Sequence, residues 1–270
     1  MNSLAYPLFI LKNHRGFALF SVVVIAALQY LIIELMTTLN TDAFINTIFS
    51  QLPERFRLLV SENFIARMSA EGAAAFGFNH PIVLALLVIN AINIPTRHIA
   101  GEIESGTMEW LLAHPMKRMR ILGSLWISGG FLIFLIICGA WTGSFLALAA
   151  THHYTYETFV KMLQIGTNLW LLSVLVLSFS ILISAFGKEG SRVGMRCAAV
   201  ILIFYFLHFL GTLWKFLEAI KPFNIFTYYQ PQKLMFDERS FWLHLCVLSV
   251  LIGLCLIISV KQFQRRDIPG

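Results

Sequence analysis

Between Arg15 and Glu34 the chain runs from Gly16 to Ile33 without a charge, and residues 76–94, 121–150, 166–186, 197–214 and 241–260 repeat the pattern. Crossing roughly 30 Å of hydrocarbon takes about 20 apolar residues, and only a helix or a closed barrel satisfies its backbone there. Six runs of helical length predict an all-α polytopic membrane protein, a single transmembrane domain over residues 1–270. The third run is longer than a crossing requires, so it is expected to tilt or to project beyond the bilayer. The second is diluted at its start by Asn79, His80 and Pro81.

Composition excludes the soluble alternative. Charged residues make up 13% of the chain against 58% hydrophobic, where a soluble domain carries about 25% charged. Placing the N-terminus inside puts Lys12, Arg15, Arg97, Lys117, Arg118, Arg120, Lys188, Arg192, Arg196, Lys261, Arg265 and Arg266 in the cytoplasm. That is 12 of the 20 basic residues, against five acids on the same side, so both termini are expected in the cytoplasm. The loop from Lys215 to Arg239, with four basic residues, pulls mildly the other way. The first apolar run lacks a small-residue cleavage site and reads as an anchor in a bacterial inner membrane. Cys138, Cys197, Cys246 and Cys255 fall inside spans and read as packing residues. The basic balance suits anionic lipid head groups, and no nucleic-acid module is recognisable.

The loops are more specific. Residues 1–15 mix Leu4, Tyr6, Leu8, Phe9, Ile10 and Leu11 with Lys12, His14 and Arg15, which predicts a short interfacial helix. The first outer loop, 38–75, is expected to hold an amphipathic helix from Pro53, and the Pro/aromatic loop 215–239 to dip into the outer interface. Between spans two and three, Ser105 or Thr107 can cap a helix whose first turn holds Glu109. Pro115 restricts His114 and should stop or kink it. Met108, Leu111 and Leu112 share one face of these two turns. Two turns are unstable alone in water, so such a helix either docks on another protein or lies on lipid.

That segment resembles the cytoplasmic loop of type-2 ABC transporter permeases, E-x-E-x-G-T-x-x-x-L-L-x-x-P-x-x-R, with Glu102, Glu104, Gly106, Thr107, Leu111, Leu112, Pro115 and Arg118 matching. The resemblance extends to the six spans, the long first outer loop and the basic tail Phe263–Asp267, and looks closest to the branch containing the permease of the nitrous-oxide-reductase maturation system. Leu125 stands where members often carry Lys, and Lys12-Asn13-His14 where a Lys-Glu-Leu-like element is common. The resemblance implies a permease, an exporter of unknown substrate. It pairs as two copies (homodimer or homologous heterodimer), each gripped by a separate ATP-binding-cassette ATPase. Glu102 to Arg118, Met108 included, would form the ATPase-coupling loop. The chain has no G-x-x-x-x-G-K-[ST] loop, so no cofactor is expected in it; ATP and magnesium would belong to the partner.

Polar residues inside spans are candidates for a substrate pathway or for helix–helix glue: Gln29, Asn90, Asn93, Asn168 and His208. Asn90 and Asn93 are one turn apart and are expected to share a face. His80, His152 and His153 read as solvated rather than metal-binding. Gly129-Gly130, and Gly139 with Gly143, predict close helix packing. A membrane-embedded enzyme is disfavoured by the lack of H-E-x-x-H, G-x-S-x-G or paired carboxylates within spans. A non-transporting anchor or sensor, or a stand-alone channel or carrier, stays open.

Overall fold

The computed structural model describes residues 5–38, 69–113, 118–211, 215–237 and 240–266. Among them there is no strand, and six helical elements are long and apolar enough to cross a membrane. Helix α1 spans Ala5–Thr38, α2 Ala70–Phe78, α3 Pro81–Pro95, α4 Thr107–Ala113, α5 Arg118–Ala150, α6 Tyr156–Phe186, α7 Gly190–Leu210 and α8 Phe241–Arg265. The Pro53 segment and Pro115 lie outside the described residues.

Three boundaries differ from the sequence reading. The N-terminal segment is not a separate interfacial helix: from Ala5 it is continuous with α1, because nothing between Lys12 and Gly16 breaks a helix. The second span is split. Ser69 caps α2 by accepting from the Gly72 amide (3.1 Å), the helix ends at Asn79, and His80 Nδ1 accepts from the Ile82 amide (3.3 Å) with Pro81 opening α3. Beyond α3, Pro95 lacks the N–H its helix needs, and Thr96–Gly101 continue in π-helical register. The Thr96 hydroxyl donates to the Ile92 carbonyl (2.8 Å), a second donor on a carbonyl that the Thr96 amide already reaches.

Helix α6 is the centre of the bundle, packing on α3, α5 and α8, with 67% of its most apolar stretch buried. Three indoles fasten it to α5: Trp126 donates to Ser178 Oγ (3.1 Å), Trp170 to the Gly130 carbonyl (3.0 Å) and Trp141 to the Met162 carbonyl (2.9 Å). Helix α1 lies along α5, where Gly139 and Gly143 touch its backbone. A Cβ there would fall 2.7 Å from the Val22 carbonyl oxygen and 2.1 Å from that of Ala26. The close packing expected at Gly139 and Gly143 is therefore an α1–α5 contact, whereas Gly129 packs against Leu177 of α6. Helix α7, by contrast, buries only Val193, Cys197 and Ile201.

Candidate functional site

The segment singled out by sequence folds as one turn, Glu102–Glu104, then Gly106, then α4. Gly106 has φ +74°, a left-handed backbone that side chains other than Gly rarely tolerate, and this reversal sets the direction of α4. Capping is not what the hydroxyls do. Ser105 Oγ donates to the Gly101 carbonyl (2.9 Å) and lies 2.8 Å from Thr107 Oγ1, while Thr107 donates to the Glu102 carboxylate. Thr107 is already the first helical residue, so its side chain reaches back to the preceding turn instead of forward.

The other motif residues turn inward too. Glu104 Oε2 accepts from the Gly190 amide (2.8 Å) at the start of α7, where Gly190 lies so close to Gly101 that a Cβ would be 3.2 Å from its backbone. Arg118 Nη1 donates to the carbonyls of Phe263 (2.9 Å), Gln264 (3.3 Å) and Arg266 (2.6 Å), capping α8 with positive charge where the helix dipole is negative. Arg266 in turn donates to the Ala185 carbonyl (2.8 Å) at the end of α6, and burial holds its guanidinium below its usual pKa. Leu111 and Leu112 are half-buried against the core, and Met108 is fully buried. The Met108–Leu111–Leu112 stripe is thus the inner face of α4, which corrects the expectation that it is the exposed one. Trp110 is the residue that faces out, 77% exposed.

Helix α1 closes the arrangement. Its buried face carries Tyr6, Ile10, His14, Ala18, Ser21, Ile25 and Gln29. His14 Nε2 lies 3.1 Å from His98 Nε2 in the π-helical segment, and His98 Nδ1 lies 3.9 Å from the Glu102 carboxylate. Tyr6, Phe9, Glu102, Thr107, Trp110 and Leu111 line an open cavity of about 400 Å³ between α1 and α4. The sequence pattern did not reveal His14–His98, 84 positions apart, or the outward Trp110; a tryptophan opposite an apolar stripe was the available signal.

The pathway candidates separate. Asn90 Nδ2 donates to Ser21 Oγ (3.2 Å) and to the Leu86 carbonyl (2.9 Å), joining α3 to α1. Asn93 is exposed toward α7, so the two asparagines do not share a face: three residues of helix leave them about 60° apart, on either side of a seam. Gln29 is fully buried against Gly77 of α2 with no hydrogen-bond partner among the described residues. Asn168 donates to the Tyr228 carbonyl (3.1 Å), and half-buried His208 lines a small hollow with Lys221 and Asn224.

A family model described as "ABC-2 family transporter protein" matches residues 10–268. The chain belongs to the ABC-2 transporter family. No curated protein matches it. As an ABC-2 protein it is a membrane transport component and not itself the catalytic one. In this ABC-2 protein the described motif residues form a clasp. Glu102 faces α1 through His98, Glu104 holds α7 and Arg118 holds α8.

Proposed function

We propose that this chain is the permease subunit of an ABC exporter of the bacterial inner membrane, with a separate ATPase docking on α4 and the cavity beside it. The observation that carries the reading is the two-sided character of α4. Its apolar stripe and motif residues are tied into the membrane helices, while the Trp110 side chain is largely exposed beside an open hollow lined by Phe9 and Glu102. A short helix exposed only on one side, and flanked by Glu104 and Arg118, which bond to α7 and α8, suits transmission of rigid-body movement.

The ATPase would hold ATP and magnesium, and its nucleotide states would have to favour different permease conformations. A cassette ATPase works as a pair, so a second permease copy, identical or homologous, belongs to the assembly. Among the pathway residues, exposure on the α3–α7 seam favours Asn93 as a substrate contact, and the bond to Ser21 favours Asn90 as glue. A sensor or anchor partnered by the same ATPase would use the same clasp, and vectorial movement of a cargo separates the two readings.

Orientation is tested directly. In a cysteine-free background, single cysteines at Thr155 and Gln232 are expected to react with an impermeant maleimide from outside intact cells. Ser105, Ser191 and Gln264 are expected to react only after permeabilisation. Thr155, Ser105, Ser191 and Gln264 are all exposed, so reactivity reports sidedness and not burial. Outside labelling at Ser105 would remove ATPase docking at α4.

A further inference from the structure

Tyr6, Ile10 and His14 recur every four residues on the buried face of α1. His14 meets His98 of the π-helical segment Thr96–Gly101, 84 positions on, and both imidazoles are buried. Their Nε2 atoms stand 3.1 Å apart, with ring centroids 5.2 Å apart and planes inclined at 64°, so the rings meet by their tips and not by their faces. A contact this close needs at least one Nε2 with a free lone pair. Short stretches of π-helical register are frequent at functional sites.

As a plain hydrogen bond the pair is incompletely satisfied. If His98 Nε2 carries the proton, its bare Nδ1 faces the Glu102 carboxylate, acceptor against acceptor. If His14 Nε2 carries it, His98 Nδ1–H stands 3.9 Å from Glu102 Oε1, beyond hydrogen-bond reach. His98 Nδ1 has no hydrogen-bond partner among the described residues, and neither has the buried Tyr6 hydroxyl. A cation resolves the conflict at the pair. Both Nε2 lone pairs bind it, both Nδ1 carry hydrogen, and Glu102 takes the outer position that carboxylates commonly hold behind a metal-bound histidine. Two imidazoles on one tetrahedral ion, at about 2.0–2.1 Å, place their Nε2 atoms about 3.3 Å apart, close to the separation found here. No further His, Cys, Asp or Glu makes a cluster of three among the described residues, so water fills the remaining positions.

We propose that His14 and His98 bind a divalent cation of zinc's class, with Glu102 as the outer partner of His98. Imidazole selects this class over calcium and magnesium, which take oxygen. Glu102 also supplies negative charge against the ion and against Arg97, next to His98 in the chain. Tyr6 and Glu102 line the open hollow beside α4, so an ion approaches from that side. Two protein ligands, where a closed structural site has four, make the ion exchangeable. It binds only while α1 and the π-helical segment are together, and so it stabilises the contact that leads into α4. The site does not depend on the exporter reading.

The test uses the purified full chain in mild detergent, without a histidine tag, titrated with zinc against a chromogenic chelator. One zinc per chain is expected, with a rise in thermal midpoint that a chelator reverses. His14→Gln and His98→Gln should each abolish both effects, and Glu102→Gln should weaken binding about tenfold, as loss of an outer partner does. A double variant, His152→Gln with His153→Gln, should bind as the original chain does. X-ray absorption on the zinc-loaded original chain decides the matter even where a histidine variant fails to fold: two imidazole nitrogens at about 2.0–2.1 Å are expected. No zinc uptake, uptake unchanged in both His14→Gln and His98→Gln, or a shell of oxygen alone would leave the pair an ordinary hydrogen bond and overturn the site. Uptake lost in the His152→Gln/His153→Gln variant would put the ion on that pair instead, and overturns it equally.

Discussion

Gly143→Leu is expected to prevent the bundle from assembling. Gly143 meets the backbone of α1, with the Ala26 carbonyl oxygen 2.1 Å and its carbon 2.8 Å from where even a single Cβ would sit. Overpacking costs about 1–3 kcal/mol where side chains can turn aside. Here the obstacle is main chain, so α1 must move bodily, at the upper end of that range or beyond. About 3 kcal/mol shifts the ratio of folded to unfolded protein roughly a hundredfold. Gly139, 2.7 Å from the Val22 carbonyl oxygen, should follow in milder form. Gly253→Leu is the control: it adds the same side chain on α8, where nothing lies within 4 Å. The measurement is recovery as a monodisperse species in mild detergent, together with the thermal midpoint. A Gly143→Leu protein as well recovered and as heat-resistant as Gly253→Leu would mean that α1 does not seat on α5 as described.

The six crossings were legible because hydrocarbon forces apolar residues and helical backbone together over a known length. Their ends were less so. Helix α1 starts at Ala5 because a helix is free to continue into the aqueous layer, where hydropathy no longer records it. The break at Asn79–His80 was visible as dilution, but its geometry depends on the Asn79 amide closing α2 on the Phe76 carbonyl and on the His80 cap of α3. Periodicity showed that Met108, Leu111 and Leu112 share a face of α4, not that the face is turned to the core; amphipathicity is symmetric between a core and a partner. The motif was legible as a family signature, yet its physical work depends on contacts with distant positions. Glu104 meets Gly190 and Arg118 meets Phe263, pairs that hydrophobic patterning cannot connect. Asn90 and Asn93 show the same limit on a smaller scale, since a 60° divergence matters only when a seam runs between them.

Trp110→Ala is expected to weaken ATPase docking while leaving the permease itself as stable as before. The indole is 77% exposed beside the hollow lined by Phe9, Glu102 and Leu111, so the free chain loses little buried surface with it. An aromatic anchor buried centrally at an interface is worth about 2 kcal/mol or more, which is roughly 30-fold in affinity. Met108→Ala should do the reverse. Met108 is fully buried, and truncating such a side chain costs about 2–5 kcal/mol of stability, while the exposed face of α4 keeps its shape. Leu111→Ala with Leu112→Ala combines the two: both side chains are half-buried against the core and Leu111 also lines the hollow, so stability and docking should both fall. Co-purification of the cognate ATPase, its permease-dependent ATP turnover and the thermal midpoint of the permease alone distinguish the three. Trp110→Ala should lower the first two and leave the third. Unchanged docking and turnover in both Trp110→Ala and the double-leucine variant, with expression intact, would place α4 on lipid and leave the ATPase to grip the chain elsewhere.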